Sequence, residues 1–329
     1  MRAWVVTKLA NPEEALELQD KEQPTPTQGE VMIQVKASAL NFFDILLCQG
    51  KYQEKPPLPF TPGAEVAGIV QAVGDGVSLK VGQRVLAQPP SPNGGFAEFV
   101  CAPESAVFPI SDSMSFEEAA SMFITYQTAY YALHRSAQIR PGEVLLVHAG
   151  SGGVGSAAIQ LGVAAGARVI ATAGGPEKVK VCKDLGAEVA IDYLSENFAE
   201  VVKEVTKGRG ANVIFDPVGG DTFDLSRKCI AFEGRILVIG FAGGRIANAP
   251  TNHALVKNYS IVGVHWGLFR RLMPEKVIEI HNALMNLFDE GKILPLVFQE
   301  YPFAALPEAL NQLATRKTWG KLVLKPEHA

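Results

Sequence analysis

Cysteine is scarce in this 329-residue chain: Cys48, Cys101, Cys182 and Cys229 lie 53, 81 and 47 positions apart. None forms a C-x-x-C pair, which argues against a structural zinc knot, and four scattered thiols make no disulfide framework. An excess of charge of one sign is also missing. Thirty Lys and Arg face 34 Asp and Glu, a formal net charge of −4, with no long single-sign block. Such a chain offers nucleic acid no basic footprint and a lipid surface no polybasic strip, so neither is expected as a partner. No apolar run approaches the roughly 18 uncharged residues of a spanning helix. The opening MRAWVVTKLANPEE lacks the basic-then-apolar pattern of a secretory leader. A cytoplasmic location is the expectation. Long internal repeats and low-complexity segments are absent too.

What remains is an ordinary globular composition, 47% hydrophobic and 19% charged, over a length that suits about two domains. Residues 1 to about 124 read as β-rich. Short apolar runs (VMIQVKA at 31–37, EVAGIVQAV at 65–73, RVLAQ at 84–88, FAEFV at 96–100) alternate with glycine- and proline-rich punctuation, as in a small barrel or sandwich. From about 115, MSFEEAASMFITYQTAYYALHRSAQI carries apolar residues at helical intervals, with Ser113 or Ser115 as candidate N-caps. Alternation then begins: strand-like VLLVHAG, RVIATAG, EVAIDY, NVIFDPV, RILVIG and YSIVGVHW, the first four each followed by a helix-like segment. That rhythm predicts a doubly wound parallel sheet. A later helix, 275–291, places Val277, Ile280, Leu284 and Leu287 on one face and closes at Gly291.

Residues 144 to 162, VLLVHAGSGGVGSAAIQLG, join the first of these strands to its helix. Gly150, Gly152 and Gly155 fit G-x-G-x-x-G, a weak pattern alone but one that here follows a strand and opens a helix. Gly150 is expected to allow the tight turn. Gly152 and Gly153, with Ser151 and Val154 beside them, let backbone approach a pyrophosphate, and Gly155 lets the helix pack close. The free N–H groups of the helix N-terminus face the phosphates. An NAD site carries an acid about 20 residues further on. This chain has Ile170-Ala171-Thr172-Ala173-Gly174-Gly175 instead, with Lys178 in the next helical turn. The missing acid and the lysine favour a 2′-phosphate, hence NADPH; Glu177 competes, and a lone lysine is also a common solvated residue.

PGAEVAGIVQAVGDGVSLKVGQRV (62–85), NGGFAEFV (93–100), HAGSGGVG (148–155) and GKLVL (320–324) together resemble the medium-chain dehydrogenase/reductase superfamily, in its zinc-free quinone oxidoreductase, zeta-crystallin-like branch. The resemblance implies an α/β fold: a GroES-like β-rich catalytic domain, 1–124 and 267–329, and a Rossmann NADPH-binding domain, 125–266. It also implies a homodimer through the Rossmann sheet. The zinc branch reads GHE where this chain has Gly63-Ala64-Glu65, and its cysteine ligand falls near Asn41. The four-cysteine lobe is missing. His134, His148, His253, His265, His281 and His328 show no metal-ligand spacing, so no metal is expected.

Carried over residue by residue, the resemblance implies catalytic roles for Asn41, in N-x-x-D with Asp44, and for Tyr52. Asn41 would bond near ribose, nicotinamide or substrate, or else cap its loop; Tyr52 stands at a cleft mouth or merely packs. A tyrosine common in relatives near position 46 is Leu46 here. Cofactor contacts are implied for Asn41, Thr128, Thr172, Lys178, Tyr193, Phe241 and Arg316, besides the glycine loop. Trp266 reads as core and His265 as an unassigned proton donor. The expected activity is hydride transfer to a small electrophile, a quinone or an enone or enoyl thioester. An NADPH-binding sensor or structural protein is the rival outside catalysis.

Overall fold

The computed structural model describes residues 1–327; His328 lies outside the described residues. The chain divides into two units, Met1–Ile124 joined by the segment from Pro295 onward, and Thr125–Leu294.

The first unit is built on one long strand, Glu30–Ala39. Along one edge it pairs antiparallel with Val66–Val73, through two register shifts that bend it. Along the other edge its first half pairs with Phe99–Pro103 and its last residues pair with Lys321–Lys325. Alternation selects the interior: Val31, Ile33 and Val35 are fully buried with Val66, Val70, Val85 and Val100. A second cluster gathers Trp4, Leu40, Ile45, Phe60, Phe96, Tyr301, Phe303 and Leu310. The strands Val297–Pro302 and Lys321–Lys325 run parallel, joined through the helix Leu306–Ala314. Of the two candidate caps, Ser115 caps the helix Phe116–Ala120: its Oγ accepts the Glu118 N–H (3.2 Å), and Glu118 Oε2 accepts the Ser115 N–H (2.7 Å).

The second unit contains six parallel strands, β1 (Val144–Val147), β2 (Arg168–Ala173), β3 (Val189–Asp192), β4 (Ala211–Asp216), β5 (Ile230–Val238) and β6 (Ser260–Gly263). Their order is β3-β2-β1-β4-β5-β6, the doubly wound arrangement that the strand–helix rhythm predicts. The order in which strands are added to the sheet reverses between β1 and β4, so a ligand crevice belongs at the carboxyl ends of those strands. Helix Gly153–Ala164 lies hard on the sheet: a Cβ on Gly162 would stand 2.5 Å from Leu145 and 3.1 Å from Val169.

The second domain boundary differs from the expected 267. Residues 267–294 group with the Rossmann unit because their helices pack there. Phe269 stacks on Tyr131 with centroids 4.1 Å apart, Gln127 Nε2 donates to the Val277 carbonyl (3.3 Å), and Gln160 exchanges bonds with Leu294 in both directions. The helix Phe123–Tyr130 runs on into one wider turn, Tyr131–Ser136, closed by the Ala137 N–H on the Ala132 carbonyl.

Candidate functional site

The glycine loop connects β1 to its helix, and the work is divided differently from expectation. Ala149, not Gly150, takes the left-handed backbone, at φ +49°. Gly150 is required by space: a Cβ there would stand 2.9–3.0 Å from Cys182 Sγ, Ala171 Cβ and Ile159 Cδ1. Gly155 fits its expected role, since its Cβ would come within 2.1 Å of the Ala149 carbonyl oxygen. Gly152 is the N-cap, extended at φ −78° and ψ 174°, and the first helix bond is Ser156 N–H to its carbonyl. The first-turn N–H groups of Gly153, Val154 and Gly155 therefore have no intrahelical acceptor, and Gly152 and Gly153 put no side chain in front of them. Ser151 is buried beside them.

Thr172 requires a correction. Its side chain is 2% exposed, and its Oγ1 bonds His148 Nδ1 (3.0 Å), so it is not presented to a ligand. Its carbonyl accepts the Gly150 N–H (2.9 Å), and it anchors the loop from behind. His148 Nε2 bonds Ser226 Oγ (2.8 Å), and burial pushes its ring down to about 4.

β2 itself does not end on a carboxylate: Ala173, Gly174 and Gly175 stand there. Gly175, at φ +87°, caps the helix Pro176–Asp184. Asp192, the nearby acid, is spent on backbone: Oδ1 accepts the N–H groups of Gly175 (2.9 Å) and Leu194 (3.0 Å). The half-exposed Tyr193 lies so close that a Cβ on Gly174 would stand 2.7 Å from its hydroxyl. Lys178 is on the first turn of the same helix, and partial burial holds its ammonium below the usual lysine range despite Glu177. Gly174 and Tyr193 thus meet at the carboxyl end of β2, where the helix that bears Lys178 begins. Arg316 belongs to the first unit, left-handed at φ +56° after the helix Leu306–Ala314. Phe241, 43% exposed, follows β5 against the Gly219 turn that ends β4. Thr128 is buried in the helix Phe123–Tyr130. Trp266 is core, and His265 Nδ1 caps its helix by accepting the Leu268 N–H (3.0 Å).

In the first unit Asn41 is the N-cap of the helix Phe42–Cys48. Its side chain joins a buried polar cluster that sequence reading missed. Asn41 Nδ2 donates to Glu65 Oε1 (2.9 Å), and Lys321 Nζ donates to both Asn41 Oδ1 and Glu65 Oε1, each at 2.7 Å. Glu65 Oε2 accepts the Ile124 N–H (2.8 Å). Asp44 Oδ2 accepts the Asn41 N–H (2.8 Å); burial raises its carboxyl to about 7, against that bond and the Lys321 charge. The available signal was a charge at the start of each of two apolar runs, EVAGIV and KLVL. Tyr52 stacks on Phe43 at 5.2 Å and is partly buried, which pushes its phenol up.

Zinc does not fit these residues. Ala64 offers no ligand atom, and the Asn41 carbonyl oxygen is already held by an ammonium. Among the described residues no three His, Cys, Asp or Glu gather to hold a metal. NADPH does fit: the loop is a cradle that side chains would fill, β2 itself ends on no acid, and the neighbouring Asp192 is engaged by the Gly175 and Leu194 N–H groups.

Residues 27–112 match the alcohol dehydrogenase GroES-like domain, and 153–282 match the domain described as zinc-binding dehydrogenase. A quinone oxidoreductase-like protein 2 homolog from Nematostella vectensis is 42% identical over 299 residues, 90% of this chain and 81% of that one. The chain belongs to the quinone oxidoreductase family of medium-chain dehydrogenase/reductases. Like that family, it is an oxidoreductase. The solved quinone oxidoreductase of Escherichia coli, complexed with NADPH, superposes with a TM-score of 0.92 at 30% identity, over 99% of this chain and 100% of that one. The enoyl reductase CurK superposes at 0.89 and 28% identity, over 99% of each chain. The quinone oxidoreductase architecture of a GroES-like domain and a Rossmann domain is thus the fold of this chain. Among the described residues no helix is long and apolar enough to cross a membrane.

Proposed function

We propose that this quinone oxidoreductase relative reduces a quinone with NADPH and without zinc. The observation that carries the reading is the pairing of a side-chain-free phosphate cradle with a β2 that ends on no acid of its own, beside Lys178 and Tyr193. NADPH supplies hydride from C4 of its nicotinamide. The first-turn N–H groups at Gly153–Gly155 would hold the pyrophosphate, and Lys178 and Tyr193 would hold the adenosine and its 2′-phosphate. Thr128 and Phe241 would pack against the bound cofactor.

A quinone that takes up hydride develops charge on oxygen, and that oxygen needs a donor. Asn41 supplies one. Lys321 only donates and ionised Glu65 only accepts, so the amide has one orientation: Oδ1 toward the ammonium, Nδ2 toward the carboxylate. Nδ2 carries two N–H groups and the cluster uses one, which leaves the other for the substrate oxygen. Tyr52 borders the acceptor, and the single proton that completes the reduction comes from solvent, so that hydride plus proton gives a hydroquinone.

Enone or enoyl-thioester reduction is the second reading, favoured by the likeness to CurK. Initial rates of NADPH and NADH oxidation against matched quinones, enones, enals and enoyl thioesters separate the two. Turnover of quinones alone, with a strong NADPH preference, is the expected result. Turnover of enones or thioesters alone overturns the quinone assignment. Tight NADPH binding with no acceptor reduced would make the protein a sensor.

A further inference from the structure

We infer that Lys321 and Glu65 are positioning residues for the reaction, locking the Asn41 amide and strengthening its remaining N–H as a donor. This rests on the reading of Asn41 as the group that meets the substrate oxygen. Three segments far apart in the chain converge on the amide. Lys321 comes from the C-terminal strand, 280 positions from Asn41, and Glu65 from the turn before Val66–Val73. Both are nearly inaccessible, with side chains 5% and 0% exposed and 2.7 Å apart.

A buried ion pair is a poor way to gain stability, because the desolvation of two charges offsets their attraction, and packed apolar residues serve as well. The pair does something an apolar filling cannot. An asparagine amide looks nearly symmetric, and only partners of fixed polarity decide which end is which. Lys321 has no acceptor and ionised Glu65 no donor. Together they remove the flipped amide, which would turn an oxygen lone pair toward a developing oxyanion. The ammonium on Oδ1 also draws electron density from the amide and makes the free N–H more acidic, as hydrogen bonds in a chain polarise one another. Glu65 balances the added charge, so the cluster carries donor strength without net cation. The surroundings of the pair include Asp44, whose Oδ2 holds the Asn41 backbone in register, and the Ile124 N–H on Glu65 Oε2.

Removing one ion alone would strand the other, so the test replaces both with neutral isosteres. Three variants are compared with the parent: Asn41→Ala, Lys321→Met with Glu65→Gln, and all three changes together. Each is assayed for kcat, for NADPH affinity by fluorescence titration, and for its melting temperature. Loss of an oxyanion donor lowers kcat by about a hundredfold. Asn41→Ala is expected to show that loss. The Lys321→Met/Glu65→Gln pair is expected to lower kcat by about tenfold or more with NADPH affinity within about twofold, and the triple variant is expected to be no slower than Asn41→Ala. If the triple variant falls by the product of the two losses, or the pair leaves kcat unchanged, the positioning role is overturned. An unchanged kcat in Asn41→Ala overturns instead the reading of Asn41. Should the double variant not fold, Lys321→Arg decides. It keeps a cation with a different reach and is expected to retain NADPH binding while losing part of kcat; an unimpaired kcat overturns the role.

Discussion

At the residue scale, two buried ionisable groups pull stability in opposite directions with pH. Burial raises Asp44 from 3.8 to about 7. Between those values the folded state keeps a proton that the unfolded chain has lost, so stability falls as pH rises through the window. Above pH 7 the cost is on the order of 4 kcal/mol. His148 works the other way: burial lowers it from 6.5 to about 4, only partly opposed by Asp216. As pH drops through that window the unfolded chain takes up a proton that the folded one refuses, and stability falls toward acid by about 3 kcal/mol. The two slopes offset between about pH 4 and 6.5. Asp44→Asn retains an oxygen for the Asn41 N–H but no ionisation. Its stability relative to the parent, from urea unfolding, is expected to gain about 3 kcal/mol between pH 5 and pH 8. Parallel pH profiles for the two proteins would contradict the burial argument. His148→Gln is expected to flatten the acid limb in the same assay.

At the element scale, the strand–turn–helix from Val144 to Ala164 carries the cofactor chemistry. Gly155→Ala brings a Cβ to 2.1 Å from the Ala149 carbonyl oxygen, a backbone atom that cannot swing aside as a flexible side chain could. The first turn must move away from the phosphates. NADPH affinity is expected to fall at least about tenfold, with a loss of about 1–3 kcal/mol of stability, by fluorescence titration and denaturant unfolding. Lys178→Ala probes the other end of the cofactor. Losing one charge-assisted bond to the 2′-phosphate is worth about 1.5–3 kcal/mol, so the NADPH preference over NADH is expected to drop by about tenfold or more. An unchanged preference would move phosphate selection elsewhere. The glycine motif was legible because close packing forbids side chains at fixed spacings, and spacing is what a sequence displays. Which residue makes the turn was not legible: the left-handed position fell on Ala149, a residue with no propensity to announce it. Thr172 read as a ligand contact because its place in the chain is right, but its hydroxyl is turned to His148, 24 residues away. The Lys321–Glu65–Asn41 cluster stayed hidden for the same reason at greater distance. Alternation marks a strand's faces, but it does not say which remote strand a buried lysine will meet.

At the scale of the whole molecule, the parallel sheet has two edge strands, β3 and β6. β6 is the last strand in the order and, among the described residues, pairs only with β5. Its Ile261 is 37% exposed, and on the preceding helix Leu255 and Val256 are 77% and 79% exposed. An unpaired edge with apolar neighbours invites another strand, and soluble proteins ordinarily cover or charge such an edge. A second copy of the chain can cover it through a two-fold axis, each β6 supplying the partner the other lacks. The homodimer that the family resemblance implies is therefore expected to be built here. Light scattering after size exclusion is expected to give twice the chain mass. Ile261→Lys puts a charge on the open edge without touching the cradle, and it is expected to give monomers that still bind NADPH. A variant that remains dimeric at micromolar concentration would place the interface on another surface, and a parent that runs as a monomer would remove the dimer altogether.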